Sequence, residues 1–416
     1  MMTRDSKRRV VITGIGVVSP TGIGVEAFWN ALSGGVSGID DISRFDTEFF
    51  RSKRAAVVRD FDCGKMLGRK ECWSGSRSVS FALAAAKSAL DHAGIEITSE
   101  NQSSIGVSLG TTLACLNLMA KLDQQALRDG PRTTDPALFP DTGVSAPACR
   151  ISIFFGVRAF NVTLSNGATS GLDAIHYGVD AVRKGYAHTV LAGGMEEICK
   201  ESFIGVYAQG LLSPAEIGDE EMCRPFDRRR SGAILGEGCA IVVLEDYEHA
   251  HARGAHILAE VIGYGTAFDP TASLSGGGGD AGCRAMRLAL NDAAVMPDQV
   301  DLVFSNANSG KIGDIAESDA LRCVFGQRPN LFVTAAKSML GESYSASGAL
   351  QIAACAMAME HGIIPPTINC EEPDPKCLVG HLVREARESS IRIAMANSSG
   401  WAGNAASLVL STSVLS

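Results

Sequence analysis

Nowhere in its 416 residues does this chain run eighteen apolar side chains together, so it offers no stretch able to cross a bilayer as a helix. Its twelve cysteines (63, 72, 115, 149, 199, 223, 239, 283, 323, 355, 370 and 377) include no C-x-x-C pair. That removes the spacing of zinc ribbons and redox dithiols. Reduced, buried, structural thiols in a cytoplasmic protein are expected instead. Positive charge is scarce: 37 Lys and Arg face 46 Asp and Glu, and the net charge of −9 excludes the footprint of a non-specific nucleic-acid binder. The histidines, His92, His176, His249, His251 and His256 among them, lack a companion Asp or Cys constellation, so no metal site is expected. The run Gly276–Gly279 lacks the Gly-Lys-Ser/Thr of a phosphate loop and reads as surface loop. No cofactor is called for.

What is present is apolar and glycine-rich: 46% hydrophobic residues and 45 glycines, the composition of a well-packed chain with many tight strand-to-helix turns. Lys7-Arg8-Arg9 before an apolar run mimics a signal peptide. However, Val10-Val11-Ile12-Thr13 is β-branched and Gly14 and Gly16 interrupt the run, which makes Val10–Ser19 a first core strand. Its Gly14-x-Gly16 half-matches a dinucleotide fingerprint without the third glycine or the strand-end acid. Helices are expected over Val25–Leu32, Val79–Ala93 and 113–127, with a strand at Ser104–Leu109. The charged stretch 213–230, holding Glu216, Asp219, Glu220, Glu221 and Arg228-Arg229-Arg230, reads as a solvated loop with local ion pairs.

The most informative stretch is Val162 to Ile175. It reads as a buried strand, a tight turn and the start of a helix, an elbow that commonly presents a nucleophile at the positive end of a helix dipole. Here the elbow residue is Ala168, which cannot attack a carbonyl. The helix runs from about Gly171 to Lys184, and His188–Ala192 is a strand ending in Gly193-Gly194. The second half echoes the first. Helix Arg284–Ala294 and strand Leu302–Ser305 repeat the helix and strand of 79–109. Strand Phe332–Ala335 and helix Ser347–Met357 repeat the elbow unit. Strand Ile391–Ala396 with Asn397–Gly400 repeats strand 188–192 and its glycines. The join falls near residue 250, giving domains 8–250 and 251–416. Alternating strands and helices imply an α/β fold with mostly parallel sheets, five layers deep.

An ordered set of motifs then carries a resemblance. It comprises Val11 to Gly22, Ala192-Gly193-Gly194, Arg224-Pro225-Phe226-Asp227, Leu235-Gly236-Glu237-Gly238, Gly313-Asp314 with Ala316-Glu317, Lys337-Ser338-Met339, and Asn397-Ser398 through Ala406-Ser407-Leu408. The chain resembles the β-ketoacyl-acyl carrier protein synthases. The resemblance implies the thiolase-like duplicated αβαβα fold with two mixed, mostly parallel sheets. It also implies a condensing chemistry that uses an acylated cysteine and two histidines. Carried over by position, the cysteine falls on Ala168 and the histidines on Asn306 and Glu342. The lysine is kept as Lys337, its usual glutamate partner is Gln351, and the gatekeeping phenylalanine is Ser399.

With all three chemical positions replaced, the chain looks most like a chain-length factor, or ketosynthase β, of type II polyketide synthases. Such a subunit pairs with an active ketosynthase, meets an acyl carrier protein transiently, and shapes the acyl tunnel. Many such factors carry glutamine at the elbow, and Ala168 departs from that pattern. Thr112, Leu116, Met119 and Ser399 are the candidate tunnel or interface positions, with plain core packing as the other reading of helix 113–127. Lys337 is expected in a structural ion pair with Glu342 or Glu317. Arg228-Arg229-Arg230 is a candidate contact for an acidic carrier. The alternatives are a malonyl-carrier decarboxylase using Asn306 and the helix-end amides near Ala168, and a stand-alone acyl-binding pseudoenzyme.

Overall fold

The computed structural model describes residues 8–68, 76–214, 220–272, 279–377 and 380–412. The expected loop at Gly276–Gly279, and Glu216 and Asp219 of the charged stretch, lie in whole or in part outside them.

Ten principal strands build the sheet: β1 Val10–Ser19, β2 Ile105–Gly110, β3 Asn161–Leu164, β4 Thr189–Glu196, β5 Gly238–Asp246, β6 Ala259–Phe268, β7 Leu302–Phe304, β8 Phe332–Thr334, β9 Ile393–Ser399 and β10 Asn404–Ser411. The main helices are α1 Arg77–Ala93, α2 Leu116–Asp129, α3 Ala146–Phe155, α4 Ser170–Arg183, α5 Lys200–Ala208, α6 Gly279–Ala293, α7 Gly313–Phe325 and α8 Ser345–His361. Strands β1, β2, β4 and β5 are buried along their whole length. This is why they read as continuous apolar runs rather than alternating ones.

In the first half the spatial order is β3-β2-β4-β5-β1, and in the second it is β8-β7-β9-β10-β6. Element for element this is one unit written twice. Helix α1 packs on β1, and α6 packs on β6 and β10. Helices α4 and α8 pack on each other and touch strands of both halves, forming the middle of five layers.

Glycine sets the helix-on-strand spacing in both copies. A Cβ on Gly16 would lie 1.9 Å from the Ala85 carbonyl oxygen, and one on Gly265 would lie 2.2 Å from that of Ala285. Each strand therefore lies against its helix with no room for a methyl group.

Two expectations need correction. The anticipated pair of sheets is one continuous ladder, joined where Val11 and Ile12 of β1 pair with Glu260 and Ala259 of β6. Nor is it mostly parallel. Each half has two parallel pairings at its outer side and two antiparallel ones inside. The short 400–403 turn between β9 and β10 shows the reason, since strands joined by so few residues run antiparallel.

The cysteines also depart from expectation, since Cys63, Cys283 and Cys323 are disulfide-bonded. Cys283 of α6 and Cys323 of α7 form a disulfide across two packed helices whose Cα atoms there stand 6.1 Å apart. Seven of the free thiols are buried and Cys149 is exposed. Burial pushes the thiol of Cys115 up to about 12, as suits a small hydrophobe. No helix among the described residues is long and apolar enough to cross a membrane.

Candidate functional site

The elbow follows from local chemistry. Leaving β3, the chain turns through Gly167 at φ 66°, and α4 starts two residues after Ala168. Ser170 Oγ donates to the Gly167 carbonyl (2.6 Å) and accepts from the Asn166 amide (2.7 Å), which closes the turn. Thr112 Oγ1 donates to the same carbonyl (3.1 Å). Ala168 is 5% exposed. Its own carbonyl accepts from Ser398 Oγ at 2.8 Å, and a Cβ on Gly400 would lie 3.6 Å from its methyl group.

The second half also holds the elbow at its rim. Asn404 Nδ2 donates to the Asn166 carbonyl (2.9 Å) and side-chain oxygen (2.7 Å). Tyr264 donates its hydroxyl to Asp173, which in turn accepts from Asn166 Nδ2 and Thr169 Oγ1.

Beyond Ser398 lies a polar cluster in which Lys337 is the hub. Its ammonium group is buried and donates to Glu342 Oε2 (2.8 Å) and Asn306 Oδ1 (2.7 Å). Of the two expected partners Glu342 is therefore the one paired. Glu317 instead accepts from the Asn306 amide (3.1 Å) and Asn397 Nδ2 (3.0 Å). Burial raises the Glu317 carboxyl above its ordinary range.

The two asparagine amides also donate within this cluster. Asn306 Nδ2 donates to the Ser399 hydroxyl (2.7 Å) and carbonyl (3.2 Å), and Asn308 Nδ2 donates to Glu342 Oε2 (2.8 Å). Glu342 Oε1 accepts from the Tyr344 amide and Ser347 Oγ, each at 3.0 Å. Gln351 stands apart from the lysine: its Nε2 donates to the Ser305 carbonyl (2.8 Å), and its buried Oε1 has no partner.

A cavity of about 220 Å³ opens beside this cluster. Its walls include Asn306, Asn308, Asp314, Ser399, Gly400 and Trp401. Ala168 is not part of the wall. The structure thus links Ala168, Ser399, Asn306, Lys337 and Glu342 through one chain of contacts, with Thr112 tied to the elbow carbonyl.

Leu116 and Met119 stand elsewhere. On α2 only Leu118 is buried, Met119 is 44% exposed and Leu127 is 87% exposed. Core packing is therefore the wrong reading for Met119.

The charged stretch is corrected too. Glu221, Asp227 and Arg230 are buried. Arg230 binds Asp374 (2.8 Å) and donates to the carbonyls of Asp227, Gly310 and Lys311, bracing one wall of the cavity. Arg228 and Arg229 behave as surface residues, pairing with Glu372 and Glu371, and exposed Glu220 pairs with Arg54.

Some site residues gave little warning. Glu196, at the end of β4, is fully buried and accepts from the Thr112 amide (3.0 Å), the Leu113 amide (2.9 Å) and Ser345 Oγ (2.5 Å). Its carboxyl is pushed up to about 7, chiefly by burial. The one hint was an acid directly after a buried strand. Tyr264 and Asn404 carried no signal, since their roles arise only when the two halves meet. No group of three or more His, Cys, Asp and Glu able to hold a metal occurs among the described residues.

With this geometry in view, the comparisons agree with one another. Residues 7–250 match the family "beta-ketoacyl synthase, N-terminal domain" and residues 258–371 match "beta-ketoacyl synthase, C-terminal domain". A 3-oxoacyl-[acyl-carrier-protein] synthase 2 of Vibrio cholerae is 36% identical over 411 residues, covering 97% of this chain and 99% of that protein. Among solved structures, the ishigamide ketosynthase/chain length factor superposes with a TM-score of 0.91 at 37% identity, covering 98% of this chain and 99% of its own. A type II polyketide synthase acyl-carrier protein in complex with its ketosynthase bound to the hexaketide gives a TM-score of 0.89 at 30% identity, covering 97% and 99%. Matches that span both halves at this identity leave one assignment: the chain is a member of the β-ketoacyl synthase family, on its thiolase-like fold.

Proposed function

We propose that this chain is the non-condensing subunit of a type II polyketide ketosynthase, pairing with an active β-ketoacyl synthase and shaping the tunnel for the growing acyl chain. The observation that carries the reading is the chemistry of the site. Covalent catalysis needs a nucleophile, and the elbow holds a methyl group. Loss of the nucleophile in a covalent enzyme costs on the order of 10⁶ in rate. The developing enolate oxygen needs preorganised donors. The Asn306 side-chain amide donates to Ser399, that of Asn308 to Glu342, and the Lys337 ammonium to Glu342 and Asn306, so these groups are turned toward one another. The Asn306 contacts with Ser399 weigh against a decarboxylase that uses its amide.

The pairing rests on two surface features. Strand β3 ends the sheet, so its outer edge offers unpaired backbone groups. Around it α2, α3 and their connection expose Met119, Leu127, Phe139, Val144 and Ile153, an apolar set that a monomer seldom leaves open. The solved ketosynthase/chain length factor and the carrier-bound ketosynthase support a partner of that kind and a carrier protein as transient visitor.

The test is co-expression with an intact ketosynthase, followed by intact-mass analysis after incubation with malonyl- or acyl-carrier protein. The expected result is co-purification in equal amounts, with acyl mass added to the partner alone. A chain that purifies free of any ketosynthase, or that gains acyl mass itself, overturns the proposal. Carbon dioxide release by the chain alone would favour the decarboxylase.

A further inference from the structure

The Cys283–Cys323 bridge sits outside the elbow and its polar cluster, yet it ends on the helix that holds them. At its first turns α7 carries Asp314 and Glu317. Asp314 accepts from the amides of Asn308 (3.1 Å) and Phe226 (2.8 Å), and Glu317 accepts from the amide of Asn306 (3.1 Å). Two carboxylates of one helix therefore fix the backbone that presents Asn306 and Asn308. At its other end α7 is tied to α6 by the disulfide and by Arg287 Nη2 donating to the Cys323 carbonyl (3.0 Å).

The two bridged residues differ in access. Cys283 is buried against the C-half core, whereas Cys323 is exposed. The bridge thus has one face open to solvent thiols. The two free thiols of the same core cluster are poor competitors: burial pushes Cys370 up to about 12 and Cys377 up to about 11.

We propose that Cys283–Cys323 is a reversible thiol–disulfide switch that sets how firmly α7 holds the Asn306–Asn308 segment. In the reducing direction an external thiolate attacks Sγ of Cys323. The Cys283–Cys323 bond breaks, and Cys283 leaves as a thiolate that takes up a proton. A second external thiolate then attacks the external sulfur of the mixed disulfide, forming a small-molecule disulfide, and Cys323 leaves as a thiolate that takes up a proton. The balance is one protein disulfide and two thiols in, two protein thiols and one small disulfide out. The same small disulfide is the oxidant of the reverse reaction. Reduction removes a covalent constraint that spans 40 residues and leaves α7 held by packing, the Arg287 contact and its two carboxylates. The inference concerns this chain alone and does not depend on the proposed pairing.

The experiment equilibrates the purified protein in glutathione buffers ranging from oxidising to reducing. Free thiols are then alkylated and peptides mapped by mass spectrometry, with thermal melting and amide hydrogen exchange measured on the same samples. Exposed Cys149 serves as the labelling control in every sample. The expected result is a linked 283–323 peptide at the oxidising end that opens reversibly. The opened form melts several degrees lower and exchanges at least several-fold faster at the amides of Phe226, Asn306 and Asn308. C323S at the exposed position reproduces the reduced behaviour in all buffers. Alkylation of both cysteines in every buffer overturns the bridge. Equal melting and exchange in the two forms overturns the switch while leaving the bridge in place.

Discussion

The two elbows of the duplicated fold have parted company while the scaffolds around them have not. In the first half β3 enters α4 through five residues with Ala168 at the helix start. In the second half β8 enters α8 through ten residues, which include a short helical turn Lys337–Leu340 and place Lys337 and Glu342 as a buried pair. Yet Gly16 against Ala85 and Gly265 against Ala285 repeat the same strand-to-helix approach in both halves. The backbone frame is thus set by packing that tolerates no added atom. The elbow residues are set by whatever chemistry each half must perform or refuse. The first elbow presents a methyl group, and the second a buried Lys337–Glu342 ion pair.

The contrast breaks most sharply at the second elbow. Glu342→Ala leaves the Lys337 ammonium buried without a carboxylate and should cost about 3–5 kcal/mol, read as a fall in the urea midpoint. Replacing both with apolar residues of similar size should cost far less, because no orphaned charge remains.

Next in size is the shared scaffold. Gly16→Ala and Gly265→Ala should destabilise by similar amounts, about 1–3 kcal/mol each, since each forces a helix backbone to shift. A large difference between the two would show that the halves do not pack alike.

A pH series separates the acids that brace each region. Glu196 and Asp314, raised to about 7 and about 6, bind a proton more readily folded than unfolded. Their contribution is therefore fully present below the ordinary carboxylate range and is lost as pH climbs through the folded values. Stability should fall between about pH 4 and 7, and Glu196→Gln should flatten the upper part of that slope. A midpoint that rises over this range contradicts the assignment.

The smallest effect belongs to the first elbow. Ala168→Cys should change stability by less than about 1 kcal/mol. On the proposed function it should yield no condensation by itself, because Asn306 still donates to Ser399 and Glu342 still pairs with Lys337. Turnover by this single variant in a product assay would show that residue 168 alone decides whether the chain condenses.

The repeat itself was legible in the chain because buried strands leave unbroken apolar runs and tight turns leave glycine. Val10–Ser19 was read to the residue and the bounds of the elbow to within one, but β3, expected as a buried strand, is exposed to partly buried because it ends the sheet. The ladder joining the halves was not, because the Val11–Glu260 pairing depends on where two separately folded edges meet. Nor was the fate of Arg230 and Asp227. A charge-dense stretch looks solvated until a cavity wall needs its guanidinium and carboxylate as braces. The Cys283–Cys323 bridge was missed for a similar reason. Its partners lie 40 residues apart on different helices, with no spacing rule to connect them. At the site, substituting Ala168, Asn306 and Glu342 into known positions named the lost groups, but only the hydrogen bonds reveal that their replacements are spoken for.

One bond carries a consequence for synthesis. The elbow carbonyl of Ala168 is held by Ser398, 230 residues further along the chain. A ribosome adding roughly 5–20 residues per second needs on the order of 10–50 s to deliver that serine after the elbow emerges. Throughout that interval the nascent first half presents an unclasped elbow and a β1 edge that still lacks its β6 partner. The growing chain is therefore most exposed to mispairing, and to chaperone capture, during the time it takes to complete its own second copy.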